Sequence, residues 1–138
     1  LWVDTGSDQL IVPLASVDAV GRIAPRIDAF DTLRSSAGRR MVLVFAEAGV
    51  GRCESRFLFE HDGVFAEDPA TGSACANLGG WYLAVGEAGV GESLPMVREI
   101  HQGDRVHRPS TLRLSVGADR RIRVGGDVAY LGRGEIDV

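Results

Sequence analysis

The sequence is poor in the features that mark disulfide-linked, metal-binding, membrane-spanning or nucleic-acid-binding proteins. Its 138 residues include two cysteines, Cys53 and Cys75, too few for a disulfide framework and without neighbours at metal-ligand spacing. It has neither the run of about 20 apolar residues that a membrane helix needs nor a secretory signal. A net charge of −4 argues against nucleic acid as a partner, because basic surfaces bind it. We therefore expect one reduced, cytoplasmic domain with no metal site and no membrane or nucleic-acid partner.

The regular patterns that are present predict a mixture of short helices and strands. A content of 45% hydrophobic and 25% charged residues is ordinary for a globular domain. Apolar spacing predicts helices over 17–24, which Ser16 would cap, and over 26–36. Strands are predicted at 10–14, 41–45 and 56–59, followed by a meander of three strands at 111–116, 121–124 and 127–131, with turns at 117–119 and 125–126.

The stretch VDTGSDQLIVP (3–13) resembles the catalytic loop of an aspartic protease, in which Asp-Thr-Gly precedes an apolar run. The segment AYLGR (129–133) resembles a later segment of the retroviral-type enzymes, which are short chains that dimerise. A dimeric aspartic protease would use Asp4, Thr5 and Gly6 from two subunits. Only three residues precede Asp4, where that fold needs a strand hairpin, so the protease is a distant alternative to a strand that ends in a turn.

The segment GSACANLGGWYLAVGEAG (72–89) is the most informative part of the sequence. Apolar residues at helical spacing cover one face, and the opposite face is also apolar, with Cys75 as a small core residue. A helix that is apolar on all sides and too short for a membrane is expected to be buried all round, here inside a curled sheet. The glycines at 79–80 cost about 1 kcal/mol each relative to alanine, which is tolerable where a neighbouring backbone comes close.

The start of this predicted helix has the chemistry of an anion site. Thr71, Gly72 and Ser73 provide capping groups and backbone N–H donors, and a helix N-terminus carries about half a positive charge. Asp68 lies just upstream, with Pro69 restricting its backbone conformation. The residues leave two interpretations open. Asp68 either acts on a bound anion, or it only stabilises the helix start by about 0.3–1 kcal/mol.

Four segments together resemble the PhzF-like isomerases of phenazine biosynthesis, which are relatives of diaminopimelate epimerase. EDPATGSACANLGGWYL (67–83) resembles the signature of that family, and HQGDRVHRPSTLRLSV (101–116) resembles its second marker, a Gln-Gly segment followed by Arg-Pro-Ser and a strand. The glycine hairpin and closing strand at 125–136 resemble its C-terminus. VDTGSDQLIVPL (3–14) resembles the opening of its second domain.

This resemblance implies an α+β fold, namely a mixed, mostly antiparallel sheet curled into a barrel-like wrap around a central buried helix, as in one half of a diaminopimelate epimerase-like protein. It implies cofactor-free proton transfer in a cleft between two such domains, with the principal acid and base, a glutamate, in the other domain. The implied catalytic residues are Asp68 and Ser73, and the implied substrate-binding residues are Gly6, Ser7, Thr71, Gly72, Ser73 and Ala74.

Two positions depart from the family pattern. Pro69 and Ala70 occupy the stretch where diaminopimelate epimerases carry a thiol, and Cys75 falls inside the helix, so a two-cysteine mechanism is not expected. His107 occupies a place where the second marker often has glycine.

The first domain of the family has no counterpart in this sequence. We therefore expect a fragment of an enzyme, one of two polypeptides that complete a cleft, or a domain that pairs with itself as a homodimer; a start at Leu1 rather than Met favours the first two. The predicted function is a cofactor-independent isomerase that acts on a small carboxylic or amino acid. The alternative is a noncatalytic anion-binding or interaction domain.

Overall fold

The computed structural model of the chain describes residues 1–26, 28, 34–87 and 93–136. The helix predicted over 26–36 falls largely on residues outside this description, and its last three residues, 34–36, are not helical. None of the helices within the described ranges has both the length and the apolar character needed to cross a membrane. The elements are β1 (Trp2–Asp4), β2 (Asp8–Pro13), α1 (Val17–Arg22), β3 (Met41–Glu47), β4 (Arg52–His61), β5 (Val64–Asp68), α2 (Gly72–Glu87), β6 (Met96–Gln102), a 3-10 turn (Asp104–Val106), β7 (Ser110–Val116) and β8 (Ile122–Gly126).

The strands form one mixed sheet in the order β1-β2-β3-β4-β6-β7-β8, with β5 attached to β4. The β2–β3 and β4–β6 pairs are parallel, and the other pairs are antiparallel. Inward side chains alternate along β7, where Leu112, Leu114 and Val116 face the core, as the two-residue period of a strand requires. The predicted α+β class with a mixed, mostly antiparallel sheet is confirmed.

The sheet curls into a half-barrel around α2, which contacts β1, β2, β7 and β8. At the centre of the helix, a Cβ on Gly79 would lie 2.9 Å from Ile122 Cγ2, and one on Gly80 would lie 2.7 Å from Val3 Cγ1. Close packing at these glycines is therefore confirmed, but the predicted approach of a neighbouring backbone was wrong, because the atoms nearest to both glycines belong to side chains. The prediction that α2 is buried on all sides was wrong, because Leu83 and Val85 are only half-buried where the half-barrel stays open.

The outer face of the sheet carries α1, which begins at the predicted cap, where Ser16 Oγ accepts from the N–H of Ala19 at 3.1 Å. The helix ends at Arg22, two residues earlier than predicted. Val20 of α1 packs with Val42 and Val44 in a second apolar cluster. Because β3 is covered on both faces, its sequence is a continuous apolar run with no polar alternation.

The prediction of a third strand in the C-terminal meander was wrong. Gly125 and Gly126, predicted to form a turn, continue β8 opposite Arg113 and Leu112, and residues 127–136 form no strand. Because Gly125 and Gly126 stay extended instead of turning, the segment after them does not fold back beside β8, which is the edge of the sheet in the described part of the chain. Its large apolar side chains are consequently exposed, as for Leu131.

Candidate active site

The first two turns of α2 and the strand before it bring the predicted catalytic residues together. β5 ends at Asp68, which is half-buried, and the helix begins four residues later, at Gly72. Asp68 Oδ2 accepts a hydrogen bond from the Thr71 hydroxyl at 2.7 Å, whereas Oδ1 has only a 3.4 Å contact with the N–H of Ala70. The carboxylate is therefore turned toward the helix start, with one oxygen firmly engaged and the other weakly.

Gln102, at the end of β6, fixes the direction of these hydrogen bonds. Its side chain is buried, and Nε2 donates both to the carbonyl oxygen of Asp68 at 2.6 Å and to Thr71 Oγ1 at 3.0 Å. Because a carbonyl oxygen can only accept, the atom that faces it is the amide nitrogen. Thr71 Oγ1 thus accepts from Gln102, and its own proton goes to Asp68 Oδ2.

Gly103 allows the second marker segment to lie against the first. It has φ of 93°, a left-handed conformation, and a Cβ at this position would lie 2.3 Å from Arg108 O and 2.8 Å from Pro69 O. The sequence assigns no role to the Gln-Gly pair beyond its place in the second marker. In the structure, Gln102 binds the carbonyl oxygen of Asp68 and Gly103 packs against Pro69. His107, nearby, also has a positive φ of 56°, which agrees with the glycine often found at this place in the family pattern.

Three backbone N–H groups at the start of α2 lie outside the hydrogen-bond pattern of the helix. The first helical hydrogen bond runs from the N–H of Cys75 to Thr71 O at 3.0 Å, so the N–H groups of Gly72, Ser73 and Ala74 precede it. Among the described residues none accepts from these three groups, and Gly72 and Ser73 are exposed. Ala74 is fully buried, so its N–H lies behind the two exposed residues. The helix dipole places partial positive charge at the same point.

The β1–β2 hairpin turn lies beside these donors. Asp4 Oδ1 accepts from the N–H of Gly6 at 2.8 Å within the turn, and Gly6 has φ of 130°, a conformation that favours glycine. Ser7 Oγ accepts from the Arg39 guanidinium at 2.7 Å. The Asp-Thr-Gly triplet is therefore a hairpin turn whose aspartate stabilises the turn itself.

Asn77 joins this hairpin turn to the helix. It is fully buried, and its Oδ1 accepts from the N–H of Thr5 at 2.9 Å and from the Thr5 hydroxyl at 2.7 Å. Its Nδ2 donates to Ser7 O at 2.7 Å and to Gln9 Oε1 at 2.8 Å, and Gln9 in turn donates to Ser73 Oγ at 3.1 Å. Gly6 and Ser7 are thereby held against the start of α2. Sequence reasoning gave Asn77 and Gln9 no role, although Asn77 is the one polar residue within the apolar stretch of the helix.

A groove of about 630 Å³ adjoins the open donors on the side of β7 and β8. Its lining includes Ala70 and Gly72 from the helix start, Thr111 from β7, and Asp127 after β8. This volume is in the range of small-molecule sites, but the groove is open to solvent along one side.

Neither thiol takes part in this arrangement. Cys75 lies in the core, and burial raises the pKa of its thiol to about 12. Burial likewise raises the pKa of the Cys53 thiol, with added repulsion from Glu47 and Glu54. Both groups are therefore un-ionised near neutral pH, and Cys75 is the core residue that the sequence predicted.

The combination of a half-barrel, a central helix and an open helix start defines an epimerase-like domain. A solved structure described as a predicted epimerase from Pseudomonas aeruginosa is 31% identical, with a TM-score of 0.62, over 96% of this chain and 43% of that one. A phenazine biosynthesis protein of the PhzF family from Bacillus anthracis is 19% identical and shares the fold, with a TM-score of 0.62 over 87% of this chain and 42% of that one.

The sequence comparisons identify the family. The family described as phenazine biosynthesis-like protein matches residues 1–134, and the chain belongs to this family. An uncharacterized isomerase of Pasteurella multocida (strain Pm70) is 36% identical over 137 residues. The alignment covers 99% of this chain and 44% of that protein, so the chain spans less than half the length of this relative.

Proposed function

We propose that this chain supplies one half of the active site of an isomerase that moves a proton on a small carboxylic or amino acid without a cofactor. The observation that carries this proposal is the Asp68 carboxylate, held by Thr71 beside three N–H groups for which the described residues offer no acceptor. Relatives named isomerase and epimerase support the reaction class. Because those relatives are more than twice as long, the cleft would be completed by a further domain, a second polypeptide or a second copy.

The start of α2 would hold the carboxylate of the substrate. The N–H groups of Gly72, Ser73 and Ala74 and the Ser73 hydroxyl supply donors, and Gly6 and Ser7 line the adjacent wall. When a proton leaves the carbon next to a carboxylate, negative charge moves onto the carboxylate oxygens. Fixed N–H donors and the positive end of the helix dipole stabilise that charge as it develops, which lowers the barrier.

Asp68 would exchange a proton with the substrate through one particular oxygen. Oδ2 always accepts from Thr71, because Gln102 directs the Thr71 proton toward it. Oδ1 has only the long contact with the N–H of Ala70, so a proton carried by Asp68 would sit on Oδ1. The completing half would supply a second acid–base group, the glutamate that the family resemblance implies. This group would remove a proton from the substrate, and Asp68 would help to return a proton at another carbon or on the other face. Such positioned acid–base catalysis is worth about 10²–10⁴-fold in rate.

The test compares Asp68→Asn with Asp4→Asn in the complete assembly. Turnover in D₂O should place deuterium on carbon of the substrate acid, detected by mass spectrometry. Asp68→Asn should reduce this exchange at least 100-fold, because the amide cannot exchange a proton in the same way. Asp4→Asn is the matched control, since an asparagine oxygen still accepts from the N–H of Gly6, and it should leave the exchange unchanged. Unchanged exchange in Asp68→Asn would remove Asp68 from the mechanism. Inhibition by pepstatin-type peptides, with loss of activity in Asp4→Asn, would instead revive the protease alternative.

A noncatalytic anion-binding domain is the second candidate, because the exposed helix start at Gly72 and Ser73 belongs to this chain alone. On that alternative, calorimetry should detect carboxylate binding by the isolated chain, weakened by Ser73→Pro, which removes one donor. No deuterium would then enter any acid in the complete assembly.

A further inference from the structure

The buried side-chain amides of Asn77 and Gln9 form a series of hydrogen bonds from the hairpin turn to the first turns of α2. Asn77 is fully buried and Gln9 is 2% exposed, yet neither belongs to a strand ladder or a helix cap through its side chain. An amide at such a position is costly to bury unless its donors and acceptor are satisfied. Those of Asn77 are, since its oxygen accepts twice and its nitrogen donates twice.

Backbone groups of the hairpin turn determine the direction of every hydrogen bond in this series. The N–H of Thr5 can only donate, so the atom of Asn77 that faces it is the oxygen. Ser7 O can only accept, so Nδ2 faces it, and the same Nδ2 donates to Gln9 Oε1. The other end of the Gln9 amide is consequently Nε2, which donates to Ser73 Oγ.

Ser73 Oγ is therefore an acceptor toward the protein interior. A serine hydroxyl has one proton, and that proton points away from the nitrogen that donates to it. Ser73 is exposed, and within the described residues the structure shows no acceptor for its hydroxyl proton. The proton is therefore available to a ligand on the exposed side of Ser73, next to the exposed Gly72.

We propose that Asn77 and Gln9 are positioning residues that make the Ser73 hydroxyl a donor to the carboxylate bound at the start of α2. This inference rests on the proposed function and adds to it the means by which the binding site acquires its polarity. A freely rotating hydroxyl could present a lone pair to the ligand and repel an anion. With the Gln9 amide fixed in place, the start of α2 presents donors, which favours an ionised acid over its neutral amide or ester.

The test measures acetate binding to the ¹⁵N-labelled 138-residue chain at pH 7 and constant ionic strength, from the amide signals of residues 72–74. Four proteins are compared: the original chain, Ser73→Ala, Gln9→Glu and the double variant. In Gln9→Glu, one oxygen still accepts from Asn77, but an oxygen replaces the nitrogen that faces Ser73. The hydroxyl then donates inward to the introduced carboxylate. Core amide signals, such as that of Leu114, report whether each variant is folded.

Ser73→Ala should weaken acetate binding about fivefold to tenfold in the original chain, which is the size of one hydrogen bond to a charged group in a partly exposed site. In the Gln9→Glu background the same substitution should weaken it less than about twofold. The added negative charge lowers affinity in both Gln9→Glu proteins alike, so it cancels in this comparison. Acetamide, the neutral control, should bind weakly to all four.

A second measurement uses the titration of the introduced carboxyl group. Methanesulfonate keeps a single charge between about pH 4 and pH 8, so any pH dependence of its binding belongs to the protein. A protonated carboxyl can donate to Ser73 Oγ as the Gln9 amide does. Methanesulfonate affinity of Gln9→Glu should therefore recover as the pH falls toward about 4, and the recovery should be larger with Ser73 than with Ser73→Ala.

The positioning role and the anion site are distinguished by different outcomes. If acetate shifts the amide signals of residues 72–74 but Ser73→Ala costs the same factor with Gln9 and with Gln9→Glu, the positioning role is overturned and the anion site stands. If acetate leaves those signals unchanged in the original chain, the positioning role is overturned, whereas the proposed function is overturned only by unchanged deuterium exchange in Asp68→Asn of the complete assembly.

Discussion

Gly103→Ala tests whether the two marker segments depend on each other. Alanine at φ of 93° costs about 1–2 kcal/mol from the left-handed backbone alone. Its Cβ would also lie 2.3 Å from Arg108 O and 2.8 Å from Pro69 O, and a shift of the backbone to relieve such overlap costs a further 1–3 kcal/mol, roughly. We expect the free energy of unfolding to fall by about 2–5 kcal/mol, measured by urea denaturation with tryptophan fluorescence.

The matched control is Gly63→Ala in the β4–β5 turn. Gly63 has a similar φ of 78°, but a Cβ there would meet no atom within 4 Å, so only the backbone cost of about 1–2 kcal/mol remains. The difference between the two variants isolates the contact with Arg108 and Pro69. Equal losses of stability would refute the claim that Gly103 is required for this contact, and unperturbed amide signals of residues 72–74 in Gly103→Ala would refute its link to the site.

Two further predictions concern the core around α2. Burial raises the pKa of the Cys75 thiol from 9.0 to about 12, so its contribution to stability is complete below about pH 9 and is lost between pH 9 and 12. The free energy of unfolding should fall by up to about 1.4 kcal/mol per pH unit in that window. Cys75→Ala should make this fall less steep in urea titrations at several pH values, and an unchanged slope would contradict the prediction. The effects of Gly79→Ala and Ile122→Ala on the free energy of unfolding should be non-additive, because the first places a Cβ 2.9 Å from Ile122 Cγ2 and the second removes that atom. The double variant should be about 1 kcal/mol more stable than the sum of the two single effects predicts. Simple additivity would contradict the close packing.

The sequence predicted the elements whose pattern is strong within one segment. The helix predicted at 72–89 and the strand predicted at 41–45 have clear apolar patterns, and both are confirmed, as α2 (Gly72–Glu87) and β3 (Met41–Glu47). Residues 88–89 lie outside the described ranges. β6 was not predicted, because its inward positions include Arg98 and Gln102 among apolar residues. The prediction of a strand at 127–131 was wrong for a different reason. Its residues suit a strand, but a strand also needs a partner, and the local sequence does not show where the sheet ends.

The same distinction applies to the site. Asp68 and Thr71 could be associated from the sequence because they are three residues apart and flank a helix start. Asn77 and Thr5 are 72 residues apart, and Gln102 and Thr71 are 31 apart, so only the folded chain shows these hydrogen bonds. Buried carboxamides have no local signature beyond a polar residue in an apolar stretch. Their partners are supplied by tertiary structure.

The most direct measurement is a crystal structure of this chain with the half that completes its cleft, grown with malonate. We predict a carboxylate oxygen about 2.9 Å from at least two of the backbone nitrogens of Gly72, Ser73 and Ala74, with Asp68 Oδ1 facing the ligand. A structure in which a side chain of the completing half covers these nitrogens, with malonate bound elsewhere, would contradict the proposal that α2 begins at a substrate site.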